Sequence, residues 1–182
     1  MLINASVFWY YETMTRRGFT TIELIITVAI MGILLVLAFV NLTASQARAR
    51  DEERKTDVES TSQHLESFYK GRDGDAQIGR YPSTLLTGQG DGFIRSILPN
   101  IDIKSMIAPG ASSTDESFIP ATNSSQSTSG VAPQPTVSQY VYQPLQANGA
   151  LCTLGNQECR RFNIYYRLES DGVVYMVTSK NQ

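Results

Sequence analysis

The first quarter of the chain contains one long, almost uninterrupted run of apolar residues. From Leu24 to Leu42 the sequence reads LIITVAIMGILLVLAFVNL, with Thr27 and Asn41 as its polar members. A helix needs about 20 apolar residues to span a bilayer, whereas the apolar core of a secretory signal has about 7–15. The run therefore predicts a membrane-spanning helix. A cleaved signal remains the alternative, because Ala47-Arg48-Ala49 has the A-x-A form of a cleavage site.

The helical pattern continues beyond the apolar run. Residues 44–70 contain no proline or glycine and are rich in helix formers. An apolar stripe recurs at helical spacing, made of Val58, Leu65, Phe68 and Tyr69. We therefore predict one helix over residues 19–70, membrane-spanning at 19–44 and amphipathic at 45–70. The charge-dense stretch 48–55 is typical of a solvated neck, with a contact between neighbouring subunits as the alternative.

The C-terminal part of the chain alternates like β-strands. Strands are predicted at 140–143, 161–168 and 172–178, where β-branched and aromatic residues are frequent. Ser170-Asp171-Gly172 predicts the hairpin turn between the last two. We expect residues 139–182 to form an antiparallel sheet packed on the helical stripe, which gives an α+β fold. Residues 71–138 are predicted to be loop-rich, and the Ser/Thr/Pro-rich segment 109–138 to be flexible.

Composition limits the function. The chain has 182 residues, which suggests one domain. Its net charge of −2 and pI of about 5.4 show no basic excess of the kind that binds nucleic acid. The single histidine, His64, excludes histidine-rich zinc sites. Because no nucleophile motif, catalytic carboxylate pair or metal cluster is found, we predict no enzyme activity, cofactor or metal.

Two cysteines, Cys152 and Cys159, bracket a short loop just before the paired strands. A metal site would need more ligands than lie nearby, and a C-x-x-C redox motif is absent. Outside the cytoplasm, this spacing suits a disulfide that closes the loop at residues 152–159.

The residues before the apolar run form an unusual junction. A basic pair, Arg16 and Arg17, is followed by Gly18 and Phe19, and Glu23 then lies at the edge of the run. A charge at a bilayer centre costs about 2.5–3.5 kcal/mol and costs less near the interface. Such a carboxylate needs a partner, unless it is an interfacial acid on an ordinary membrane anchor.

The segment RRGFTTIELIITVAIMGILL resembles the N-terminus of type IV prepilins and of secretion pseudopilins. The resemblance implies a prepilin leader at residues 1–18, of the type called class III, cut between Gly18 and Phe19 by a prepilin peptidase on the cytoplasmic side. It implies N-methylation of Phe19 and pairing of Glu23 with the N-terminal amine of a neighbouring subunit. A start at Met14 instead of Met1 would give the short leader that is common in this family. Many filament-forming pilins carry a proline in the apolar helix; this run has none.

By this resemblance we expect a structural subunit of a type IV pilus, used for adhesion, motility, DNA uptake or sensing. Its implied partners are copies of itself, other pilins, the prepilin peptidase, the pilus assembly platform and, before assembly, the lipid bilayer. Lysine and arginine residues flank the apolar run on both sides, so their counts leave the membrane topology open. The resemblance implies a single-pass membrane protein with a cytoplasmic N-terminus, then an extracellular pilus. Alternatives are a minor pilin, a type II secretion pseudopilin, or a membrane-anchored ectodomain of unrelated function.

Overall fold

The computed structural model describes residues 18–71 and 79–181. The helices are α1 (Thr21–Lys70), α2 (Gly90–Ile97) and α3 (Thr114–Ser117), and the strands are β1 (Phe118–Pro120), β2 (Tyr140–Gln146), β3 (Cys159–Arg167) and β4 (Val174–Thr178). Short 3₁₀ turns occupy Thr84–Leu86 and Ile103–Met106. The chain divides into two compact units, with the boundary inside α1 between Leu42 and Thr43. Except for Gly18, the predicted leader lies outside the described residues.

The long N-terminal helix predicted from the sequence is present. α1 has 50 residues and begins at Thr21, two residues after the predicted start at residue 19. By length and composition it can cross a membrane. Inside the apolar part, the Thr27 hydroxyl donates to the Leu24 carbonyl oxygen at 2.9 Å, so this polar side chain is satisfied within its own helix.

The sheet has four strands in the order β1-β2-β3-β4. β2–β3 and β3–β4 are antiparallel, as predicted, but β1 pairs with β2 in parallel. The expectation of a wholly antiparallel, three-stranded sheet was therefore wrong, and the sheet is mixed. β1 has only three residues, too few for a period-two pattern to be visible in the sequence.

The core confirms the α+β fold. Val58 and Leu65 of α1 are buried in one cluster with inward-facing side chains of the sheet, and Phe68 and Tyr69 pack against that cluster. The sheet contributes Tyr140, Tyr142, Phe162, Ile164 and Tyr166. Alternation along β2 and β3 sends Val141 and Tyr165 to the opposite face, where they are buried with Ala121 and Val131.

The Ser/Thr/Pro-rich segment 109–138 contains α3, β1 and several buried side chains. Phe118, Ala121 and Val131 are each at most 3% exposed. This segment therefore buries apolar side chains on both faces of the sheet. Its flexibility stays a prediction.

Candidate functional site

The start of α1 is a capping box that joins Thr20 and Glu23. The Thr20 backbone N–H and hydroxyl each donate to Glu23 Oε2 at 2.9 Å, and the Glu23 N–H donates to Thr20 Oγ1 at 3.3 Å. This arrangement satisfies backbone donors that a helix N-terminus leaves unpaired. It explains why the helix begins at Thr21 and leaves Gly18 and Phe19 outside it. Phe19 is 83% exposed.

The capping box leaves half of the Glu23 carboxylate available. Both bonds from Thr20 go to Oε2, and Oε1 has no hydrogen-bond partner among residues 18–71 and 79–181. The side chain is exposed. Oε1 can therefore accept a hydrogen bond from a cation outside this chain while Oε2 continues to cap the helix.

An apolar surface follows Glu23 along α1. The large apolar side chains from Ile22 to Phe39 are each 51–67% exposed. An apolar surface of this size is not stable in water, and the helix satisfies its own backbone hydrogen bonds. Lipid or other apolar helices are the environments that suit it.

Farther along α1, two charged residues anchor the helix to the β3–β4 hairpin. Asp51 accepts hydrogen bonds from the backbone N–H groups of Glu169 (2.7 Å) and Ser170 (2.9 Å). Arg54 is 1% exposed and donates to Asp51 Oδ1 at 2.8 Å and to the Val137 carbonyl oxygen at 2.6 Å. Burial alone would raise the pKa of Asp51, but hydrogen bonds from Ser170 and Glu169 and the charge of Arg54 hold that pKa below its ordinary value.

The end of α1 is anchored to the C-terminal residues in a similar way. Glu66 is 7% exposed and accepts from the Lys180 N–H at 2.7 Å, from the Asn181 amide at 2.7 Å and from the Tyr81 hydroxyl at 3.0 Å. Burial raises the pKa of Tyr81 to about 12, and the neighbouring Glu66 charge adds to that rise. The second half of α1 is thus held to the head (residues 71–182) by hydrogen-bonded carboxylates as well as by apolar contacts.

Comparison with known proteins gives one informative match. The chain is 43% identical over 58 residues to "Type IV major pilin protein PilA" of Myxococcus xanthus (strain DK1622), a stretch that covers 32% of this chain and 26% of that relative. Over that stretch the chain is similar to a type IV pilin. No protein-family model matches it, and no solved structure matches it.

The disulfide predicted from the sequence is present in the structure. Cys152 and Cys159 are bonded, with their Cα atoms 5.9 Å apart, and both are buried. The Cys152 N–H donates to the Pro144 carbonyl oxygen at 2.9 Å, and the Tyr81 N–H donates to the Cys159 carbonyl oxygen at 2.8 Å. The disulfide therefore joins the start of β3 to a loop that also borders β2.

The pilin-related motif and the sequence patterns did not reveal every role. The capping bonds of Glu23 are a local function that the S/T-x-x-E spacing of Thr20 and Glu23 would have indicated. Burial of Asp51 and Arg54 contradicts the expectation of a solvated neck at these two positions, since both contact the head of their own chain. The other charged residues of the stretch are exposed or half-buried. No group of three metal-ligating side chains is found within the part of the chain that the structure describes.

Proposed function

We propose that this chain is a structural subunit of a type IV pilus that polymerises through α1 into an extracellular filament. The observation that carries the proposal is the exposed apolar surface of α1 with an acid, Glu23, at its N-terminal edge. Helix capping uses only Oε2 of that carboxylate, and an ordinary membrane anchor needs no partner for the remaining Oε1. The similarity to a type IV major pilin over 58 residues supports the same conclusion.

Processing would create a charged partner for Glu23 Oε1. Gly18 and Phe19 precede the helix and are exposed, so a prepilin peptidase can reach the bond between them without unwinding α1. Cleavage there leaves an amine on Phe19, which the same enzyme would methylate. In a bundle of apolar helices, that cation and the Oε1 of a neighbouring Glu23 would neutralise each other, because a buried charge is tolerated only when it is paired.

The apolar part of α1 would also contact the other two proposed partners, the lipid bilayer and the pilus assembly platform. Before assembly the apolar part of α1 would lie in the lipid bilayer, with the N-terminus in the cytoplasm. The assembly platform would then transfer it from lipid to the helices of other subunits. The anchors at Asp51 and Glu66 would make the head move together with its helix during this transfer.

The N-terminus of the mature chain tests this proposal. Filaments are sheared from cells, and the mass of the intact subunit and of its N-terminal peptide is measured. We expect methylated Phe19 as the first residue. A chain that retains Met1 or Met14, or that begins near Ala49, would contradict the proposal.

A matched variant controls for processing, and abundance separates the alternatives. A Cβ atom added at Gly18 would meet no other atom within 4 Å, so Gly18→Val changes the cleavage site without disturbing packing, and it should retain the leader.

A major pilin dominates the sheared fraction, whereas a minor pilin or pseudopilin is scarce there. A tethered ectodomain of unrelated function would be absent from that fraction.

A further inference from the structure

A polar cavity of about 130 Å³ lies on the sheet face that points away from α1. Phe162 and Ile164 of β3 face the core on α1, so alternation places Arg161 and Asn163 on the other face. The lining residues are Gln126, Arg161, Asn163, Met176, Thr178 and Ser179. The site is independent of the apolar surface on which the filament proposal rests.

The cavity presents unused hydrogen-bond donors and one positive charge. The Arg161 guanidinium makes a single long bond, from Nη2 to the Ala147 carbonyl oxygen at 3.4 Å, and pairs with no carboxylate among the described residues. Within residues 18–71 and 79–181, the side chains of Gln126 and Thr178 also form no hydrogen bond. No carboxylate from residues 79–181 lines the cavity. The site therefore favours an anion.

Among the lining residues, Asn163 is held in a fixed orientation by Gln143. The Gln143 amide nitrogen donates to the carbonyl oxygens of Asn123 and Ser125, both at 2.9 Å, so its oxygen must face the other way. That oxygen accepts from Asn163 Nδ2 at 2.9 Å and from the Tyr165 hydroxyl at 3.0 Å. The Asn163 amide is thereby oriented, and its Oδ1 accepts no bond within the described residues.

We propose that this cavity binds a small hydroxy-carboxylate. The guanidinium fork of Arg161 suits a carboxylate, because arginine can donate two parallel bonds to its two oxygens. Asn163 Oδ1 is available to a ligand hydroxyl, Thr178 offers a further hydroxyl, and Met176 offers an apolar wall for C–H groups. The volume corresponds to about four liquid waters, which fits a free hydroxy acid or the carboxylate edge of a uronate sugar.

Calorimetric titration of the full chain in detergent micelles tests the proposal. The probes are D-galacturonate, the neutral sugar D-galactose and acetate. We expect saturable binding of galacturonate, weakened by added salt, and at least about tenfold weaker binding of the other two, since each lacks one of the two groups that the cavity recognises. Equal binding of galactose or of acetate would overturn the proposal.

Arg161→Gln should weaken galacturonate binding at least about tenfold. The matched control is Arg95→Gln, because Arg95 likewise donates one 3.4 Å bond to a backbone carbonyl oxygen, that of Ile101, but lies outside the cavity. Thr178→Val keeps the side-chain shape on an exposed position and should weaken binding severalfold. Unchanged binding in Arg161→Gln, with an unchanged thermal melt, would overturn the assignment.

Two further probes separate the sources of the ligand. D-glycerate represents a free hydroxy acid, and a galacturonate disaccharide represents an acidic polysaccharide. Tighter binding of one of the two supports the site and identifies the source of its ligand. Failure of both to bind would overturn the proposal, and this result is independent of whether the chain forms filaments.

Discussion

At the scale of single residues, Asp57 is a carboxyl group on α1 that contacts a buried tyrosine of the sheet. Its Oδ2 accepts a hydrogen bond from the Tyr140 hydroxyl at 3.0 Å. Burial raises the pKa of Asp57 to about 6, the Tyr140 bond opposes this rise, and the neighbouring acids Glu53 and Asp102 add to it. The same contact and burial raise the pKa of Tyr140. The charged form of Asp57 is therefore disfavoured in the folded protein.

The raised pKa predicts a pH-dependent stability. Between pH 3.8 and about 6 the folded state binds more protons at Asp57 than the unfolded state does, so the free energy of unfolding falls as pH rises through this range. Asp57→Asn keeps the acceptor for Tyr140 without the charge. We expect it to raise the free energy of unfolding at pH 7 by about 1 kcal/mol, a modest gain because solvent screens a half-exposed group. The decrease of that free energy between pH 3.8 and about 6 should become smaller.

Urea unfolding of the full chain in detergent, at pH values from 4 to 7, measures this effect. Glu59→Gln is the control, because it removes an exposed carboxylate from the same helix and should keep the pH dependence of the unmodified chain. A steeper fall of stability in Asp57→Asn, or no difference from the unmodified chain, would show that Asp57 is not the titrating group.

The buried charges were the residues that sequence patterns could not place. Asp51, Arg54 and Glu66 lie in a stretch with many charges, and such stretches usually face solvent. Their hydrogen-bond partners, such as the N–H groups of Glu169 and Lys180, are more than 100 residues away along the chain. A helical pattern reports which positions share a face but not which distant backbone donors will meet that face.

At the scale of elements, the attachment of α1 to the β3–β4 hairpin depends on Asp51. Asp51→Asn would place an N–H₂ group against either Arg54 or the two backbone N–H donors. Because Arg54 is buried, the variant leaves its charge with only the longer contact to Glu169 Oε2 at 3.5 Å, and we expect a loss of about 3 kcal/mol in the free energy of unfolding.

The neighbouring pair Glu52–Lys55 supplies the control. It is exposed, with Lys55 Nζ 2.8 Å from Glu52 Oε1, and Glu52→Gln should leave stability almost unchanged. Both variants are compared with the unmodified chain by urea unfolding. Equal effects of Asp51→Asn and Glu52→Gln would mean that the buried anchor contributes no more than a surface ion pair.

Elements with a regular pattern could be predicted from the sequence. Elements that are short, or whose position depends on contacts with distant residues, could not. α1 follows from the apolar run and the helix formers after it, and β3 and β4 follow from alternation on either side of the turn at Asp171-Gly172. β1 was missed because its three residues lie among serines and prolines, and its position depends on pairing Phe118 with Tyr140. The α+β fold was recovered, but its mixed sheet required the tertiary structure.

At the scale of the whole molecule, the two proposals rest on different parts of the chain, assembly on the apolar part of α1 and ligand binding on the cavity around Arg161. The similarity to a type IV pilin covers 32% of the chain. The anchors at Asp51 and Glu66 lie on α1, and the cavity around Arg161 is lined by residues of the head. The sequence motif predicts how subunits join. The cavity also needs Gln126 from the loop at residues 121–139, whose arrangement a motif does not specify.

The role of Glu23 in assembly can be separated from its role in the capping box. Glu23→Gln preserves the cap, because glutamine serves equally well at this position, but it removes the charge. Thr20→Ala does the opposite: it removes the hydroxyl that bonds Glu23 and keeps the acid. If the carboxylate pairs with the amine of a neighbouring subunit, Glu23→Gln should insert in the membrane normally and reduce filaments about tenfold or more.

Thr20→Ala should then assemble nearly as well as the unmodified chain, and Glu23→Ala should fail as Glu23→Gln does. The measurement is the ratio of subunit in the sheared fraction to subunit in the membrane fraction, by immunoblot. Normal filaments in Glu23→Gln together with a defect in Thr20→Ala would assign Glu23 to helix capping alone. Filaments would then form although the amine of Phe19 lacks the counter-charge that the proposal gives it, so the pairing of Glu23 with that amine would be refuted.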